Sequence, residues 1–169
     1  MMDERDIIEV TVHGVTMDPG NNSPIILLKD QEGKRAMPIW IGILEANAIA
    51  MNLSGVEPPR PMTHDLVKSL LEVIGAGVDS VAITDLKDNI FYAAIHLKLG
   101  GREFSVDSRP SDAIALAVRM GCPIYVKDEL FIHSAIDLSS IDEKHNVEDD
   151  NLAELLKKSD PKDFSKYKM

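Results

Sequence analysis

KRAMPIWIGILEANAIAMNLSG, residues 34–55, changes its period part-way through. Lys34 to Ile41 reads as a strand, Ile43 to Leu53 takes on helical spacing, and Ser54-Gly55 ends the helix. The same change of period comes again at REFSVDSRPSDAIALAVRMG, residues 102–121. A shift of 67 places lays Glu45-Ala46-Asn47-Ala48-Ile49-Ala50 on Asp112-Ala113-Ile114-Ala115-Leu116-Ala117. It also lays Arg35 on Arg102, Met37 on Phe104 and Ile39 on Val106. Alanine-rich helices match easily by chance, so the strand correspondence is the better half of this argument for an internal duplication.

Working outward, Ile7 to Asp18 and Pro24 to Lys29 read as strands, and Asp30-Gln31-Glu32-Gly33 as the hairpin turn before the third. VEPPRPM, residues 56–62, has three prolines in seven residues and is an extended loop. A helix follows, with Thr63 as its cap and Asp65 in its first turn. Leu66, Val67, Leu70, Leu71 and Ile74 form its apolar stripe, and Gly75 and Gly77 close it. Three more strands are expected at Asp79 to Asp85, Ile90 to Leu99 and Arg102 to Val106, the last two joined by a Gly100-Gly101 turn. A helix from Pro110 to Met120, stopped by Gly121, a short strand at Pro123 to Val126 and a turn or two of helix at Asp128 to Ala135 complete the pattern. The expected fold is α+β. Duplicated βββα units form one curved or barrel-like sheet with helices packed against it. Residues 1–136 make the domain. Residues 137–169 make an acidic and charged, weakly ordered tail, in which Leu152, Leu155 and Leu156 support at most one short helix.

Composition narrows the function classes. In 169 residues, 44% are hydrophobic and 27% charged, as in a folded soluble domain. No apolar run approaches the roughly 18 residues that mark a membrane span. Asp3, Glu4, Asp6 and Glu9 near the start argue against a secretory leader. The single cysteine, Cys122, forms no internal disulfide, so a reducing cytoplasm is expected and the thiol reads as a small buried hydrophobe. The net charge of −10 argues against nucleic acid, whose phosphates are held mainly by Lys and Arg. Aromatics are only 5% of residues, so no stacking platform for bases is apparent. His-Glu-x-x-His, Cys-x-x-Cys, Walker and dinucleotide fingerprints are all missing.

Two stretches place polar residues where loops are expected to meet helices: Arg60-Pro61-Met62-Thr63-His64-Asp65-Leu66 and Asp107 to Ala117. Each has an ordinary reading. Asp65 and Asp112 complement helix dipoles, while Thr63, Ser108 and Ser111 cap. Capping uses one such residue, however. Asp107 to Asp112 supplies two carboxylates, two hydroxyls and a guanidinium in six positions. Arg60 and Arg109 both precede proline, so an extended backbone holds each guanidinium ready for a phosphate or, more commonly, a carboxylate. Under the duplication, Glu45 and Asp112 are equivalent. With Asp107 they are candidate oxygen ligands for Mg²⁺ or Mn²⁺, though nothing in the spacing makes them converge. His64 is the best-placed histidine for proton transfer. The adjacent Asp65 is not its partner, because neighbouring helical residues face apart.

The strings Pro38-Ile39-Trp40-Ile41-Gly42, Glu45-Ala46, Arg60 to Leu66 and Asp107 to Ala117 resemble the bifunctional nuclease domain family. The resemblance spans Ile7 to Ala135 and implies cleavage of DNA or RNA, hence a nucleic-acid partner. Family membership does not fix activity or catalytic residues. The nominated set is His64, Asp65, Asp107 and Asp112 for catalysis, and Arg60, Arg109, Ser108 and Ser111 for substrate binding. Glu45, Asp107 and Asp112 are nominated for a divalent ion. The competing reading is a non-catalytic module that binds an anion or a partner chain, with the Asp and Arg residues as a structural salt-bridge network. Self-association, by default as a dimer, is expected under both readings, with Trp40 and Phe91 at the contact.

Overall fold

The computed structural model describes residues 6–138. The expected tail from 137 onward lies outside the described residues except for its first two positions. Strands β1 (Ile7–Met17), β2 (Pro24–Asp30) and β3 (Arg35–Trp40) form an antiparallel meander that runs into helix α1 (Ile43–Leu53). After α2 (Thr63–Ile74), a second meander of β4 (Gly77–Lys87), β5 (Ile90–Leu99) and β6 (Arg102–Ser108) runs into α3 (Pro110–Met120). The chain then adds β7 (Ile124–Lys127), α4 (Asp128–Ser134) and the short β8 (Ile136–Asp137). The α+β class is as expected, and the order of three strands then a helix occurs twice.

The sheet is not closed. Among the described residues its eight strands lie in the order β6-β5-β4-β7-β1-β2-β3-β8, so β6 and β8 are its two edges where a barrel would have joined them. The reason lies in β7, which slots between the two meanders, parallel to β4 and antiparallel to β1. With β7 in the middle, the two meanders extend away from each other.

One main core lies between the sheet and the helices. Ile26, Leu28, Met37, Ile39, Val81, Ile83 and Ala93 from the strands meet Ala46, Ile49, Ala113, Ile114 and Ala117 from α1 and α3. The alanines are small enough to let α1 and α3 approach each other and the sheet closely. Phe131 of α4 is fully buried in the same core. Phe91 is buried there too, so it cannot serve the subunit contact expected of it. Trp40 is partly buried, and its indole N–H donates to Asp18 Oδ2 at 2.8 Å.

One local expectation holds and others change. The Gly100-Gly101 turn has φ of 57° and 75°, the paired positive values of a tight hairpin. Thr63 is the first residue of α2 rather than its cap. Met62 takes the cap position, and its backbone N–H donates to Asp65 Oδ2 at 2.9 Å. Strand β6 runs on through Asp107 and Ser108, which pair with Ala94 and Ala93 of β5, so Asp107 lies in a strand and not in a loop. Asp107 therefore points to the face opposite Val106, away from the helices.

Candidate active site

The candidate site assembles where the N-termini of three helices meet. Arg109 caps α3 in extended geometry, φ −69° and ψ 146°, as its position before Pro110 requires. Its Nε donates to Asp112 Oδ2 at 2.7 Å and its Nη2 lies 2.9 Å from Glu45 Oε1. Glu45 belongs to the first turn of α1, so the two matching helix-start carboxylates do come together, with a guanidinium between them. Half of the Arg109 side chain, 51%, remains exposed. Gly42 makes room for this arrangement, because a Cβ there would run into the Glu45 carboxylate.

The other oxygen of Asp112 faces α2. His64 Nε2 lies 3.0 Å from Asp112 Oδ1, and in the Nε2–H tautomer the ring donates to it. His64 has thus found a carboxylate partner 48 residues away, while its neighbour Asp65 turns elsewhere. Burial pushes the Asp112 carboxyl up, but hydrogen bonds from Arg109 and His64 outweigh it and hold it below the usual aspartate range. The bond to Asp112 raises the already high pKa of Arg109, so the guanidinium is permanently charged.

Asp65 marks a second cluster, centred on Arg119, a residue the sequence reading passed over. Arg119 Nε donates to Asp65 Oδ1 at 2.6 Å, Nη1 to the Ala115 carbonyl at 2.9 Å and Nη2 to the Ala48 carbonyl at 3.0 Å. Only 5% of its side chain is exposed. The hydrogen bonds from Arg119 and the Met62 backbone hold Asp65 below its ordinary pKa. A signal was present in the sequence: Arg119 follows Asp112 by seven residues, two helical turns, on a helix otherwise apolar in that stretch.

The remaining nominated residues scatter. Arg60 is exposed on the proline-rich loop and lines a groove of about 320 Å³ with Met51, Glu57, Lys68 and Arg119. Ser108 Oγ donates to the Arg109 carbonyl at 3.0 Å, and Ser111 is fully buried. Asp107 lines a separate depression with Thr84, Asp85 and Tyr92. The Glu45, Asp107, Asp112 trio is therefore not assembled. Among the described residues no group of three or more His, Cys, Asp or Glu side chains is placed to hold a metal ion. Between Glu45 and Asp112 the bridging charge is Arg109. A larger depression of about 750 Å³ lies away from this site, beside Asp30 and Arg35, which pair with each other at 3.0 Å. Cys122 is partly buried and burial raises its pKa, in keeping with an unreactive thiol.

The sequence signature of the bifunctional nuclease domain matches residues 26–139. The chain belongs to the bifunctional nuclease domain family. Every residue of the Glu45, His64, Arg109, Asp112 cluster falls inside the matched span. An uncharacterized protein of Mycobacterium tuberculosis is 42% identical over 128 residues, 76% of either chain. Bifunctional nuclease 1 of Oryza sativa subsp. indica is 30% identical over 115 residues, 66% of this chain and 35% of the rice protein. Bifunctional nuclease 1 of Arabidopsis thaliana is 32% identical over 111 residues, 63% of this chain and 34% of its own length. The matched stretch makes up about a third of each of these plant proteins and about three quarters of the mycobacterial one. No helix among the described residues is long and apolar enough to cross a membrane.

Proposed function

We propose that this chain is a nuclease whose reactive centre is the Arg109, Asp112, His64 cluster. The observation that carries the reading is the His64–Asp112 hydrogen bond beside a half-exposed guanidinium, at a helix N-terminus, in a chain of this family. Arg109 recognises the scissile phosphate and offsets charge that builds on it in the transition state. Peptide N–H groups at the start of α3 add to the same field. Asp112 holds the His64 ring through Nε2, leaving Nδ1 to take a proton from the attacking water as its oxygen bonds to phosphorus; the P–O bond to the leaving oxygen breaks, and the imidazolium returns the proton to that oxygen. Arg60, exposed on the proline-rich loop at the neighbouring groove, supplies a second phosphate contact along a bound strand. Such local cations answer the objection of the −10 net charge, since steering by the whole chain is not required for binding at one groove.

Arg109 lies between the two carboxylates nominated for a divalent ion. Mg²⁺ or Mn²⁺ would need Glu45 and Asp112 to release it. The two βββα units are read as copies, which makes Glu45 and Asp112 one ancestral helix-start acid used twice. The protein is expected in the cytoplasm.

The competing module reading draws support from one observation: Arg109 is already neutralised by two carboxylates. The deciding assay incubates single-stranded RNA and single- and double-stranded DNA with the wild type and with an Asp112→Asn variant purified identically. Each is tried with Mg²⁺, Mn²⁺ or chelator. Cleavage by the wild type alone supports the nuclease. Equal cleavage by both preparations, or none, returns the cluster to a structural role.

A further inference from the structure

Helix α2 is docked with its polar side inward. An amphipathic helix on a globular domain ordinarily turns its apolar stripe to the core and its charges to water. Here His64, Asp65 and Lys68 face α3, bonded to Asp112, to Arg119 and to the Arg119 carbonyl respectively. The apolar side is bare: Leu66 is 52% exposed, Val67 38%, Leu70 56%, Val73 85% and Ile74 58%. No residue of α2 is buried.

These five side chains fall within about a third of the helix circumference, by the 100° turn per residue of an α-helix. They therefore form one stripe and not scattered exceptions. The stripe contains no charged residue. The acids nearest to it are already engaged, Asp65 by Arg119 and Glu72 by Lys68 at 3.9 Å. For a chain of net charge −10, it is a surface on which two copies can meet without bringing carboxylates together.

The spacing of the stripe identifies its occupant. Positions 66, 67, 70, 73 and 74 read the same in both directions about Leu70. A two-fold axis through Leu70 sets α2 antiparallel to its counterpart, with Leu70 against Leu70, Leu66 against Ile74 and Val67 against Val73. Such an isologous contact uses one patch twice, and the antiparallel pairing also aligns the two helix dipoles favourably. The stripe offers on the order of 500 Å² of apolar surface. That is the size of the largest patch on a typical monomer, about 300–600 Å² and often functional, and more than half of the about 800 Å² per partner of a standard dimer. The helix flanks supply the rest.

We propose that α2 is the two-fold interface of a homodimer of this chain, self-paired through the Leu66 to Ile74 stripe. The test is the mass of the full chain in solution at micromolar concentration, by sedimentation or light scattering. Wild type, Leu70→Glu and Val73→Lys are compared, each checked for fold by circular dichroism. Both substitutions fall on exposed side chains, so the fold survives them. The wild type is expected at twice the chain mass. Leu70→Glu should sediment as a monomer, its dissociation constant raised at least a hundredfold by two carboxylates meeting on the axis. In a Cys122→Ser background, Leu70→Cys should cross-link to itself on oxidation. A dimer that keeps its mass in Leu70→Glu and fails to cross-link places the contact elsewhere, such as the β6 edge, and overturns the proposal. A wild-type monomer overturns it as well. If amides 66–74 of that monomer resist hydrogen exchange, the chain's own residues 139–169 are the occupant. If they do not, the stripe is uncovered.

Discussion

Arg109 and Arg119 lie on the same helix, each bonded to an aspartate and each tying α3 to another helix, yet burial separates their work. Arg119 is almost wholly enclosed, and all three of its nitrogens donate, to Asp65 and to the carbonyls of Ala48 and Ala115. Only 5% of its side chain is left exposed toward the groove it borders. Arg109 satisfies two carboxylates and keeps half of its surface in water. A guanidinium with exposed area beside a histidine can meet a substrate; one sealed among carbonyls can only hold helices. The chemistry of the two residues is identical, so under the proposed function position and access separate their roles.

The comparison breaks most readily at the sealed end. Arg119→Ala leaves Asp65 part-buried without its cation and strips two carbonyls of their donor. A loss of about 3–5 kcal/mol of stability is expected, and urea denaturation measures it. Arg109→Ala should cost less than about 1 kcal/mol, as exposed pairs do, while cleavage falls by about 10²-fold or more. If the two variants show equal melting temperatures, the division of labour fails. His64→Gln sharpens the open end further: cleavage should drop by about 10²–10⁴-fold with melting barely changed, and an unaltered pH–rate profile would remove His64 from the mechanism.

Acid probes both arginines together. Asp65 and Asp112 have folded pKa values below their ordinary ones, so each adds stability above the unfolded value of about 4. That stability disappears as pH falls through the lower folded value. The melting-temperature gap between wild type and an Asp65→Asn, Asp112→Asn variant should hold near neutrality and close below about pH 4. A gap that widens on acidification would contradict the shifts. The smallest effect belongs to Gly42→Ala. Its methyl displaces only the far end of Glu45, so stability should move within about 0.5 kcal/mol while Arg109, released from one carboxylate, binds phosphate a few-fold better in titration.

How far the sequence reached depends on whether a property is local. Period changes at Ile41–Ile43 and at Ser108–Pro110 are local, so both meanders and the helices after them could be read within a residue or two. The alignment of Glu45 with Asp112 pointed to two acids that do share one guanidinium. Partners distant in sequence were not legible. His64 lies 48 positions from Asp112, and Arg119 lies 54 from Asp65. Asp107 misled because β6 continues two residues past Val106, and strand parity then sends its carboxylate to the wrong face. Four of the five stripe residues on α2 were visible as a pattern, with half-buried Leu71 read where exposed Val73 belongs, but periodicity reveals which side of a helix is apolar and not which way that side turns. Sheet closure failed for a similar reason, since nothing in the short Ile124–Lys127 segment announces that it will divide the meanders.

Helix α2 has no buried residue, and two adjoining side chains, His64 and Asp65, fasten its start to opposite ends of α3. Segments with few buried apolar contacts are drawn from the low-stability end of a fold. When it lifts, the imidazole leaves with it while Arg109 and Asp112 stay behind on α3. Under the proposed function, the complete constellation exists only while that one helix is docked, so whatever steadies α2 would raise the fraction of molecules ready to act.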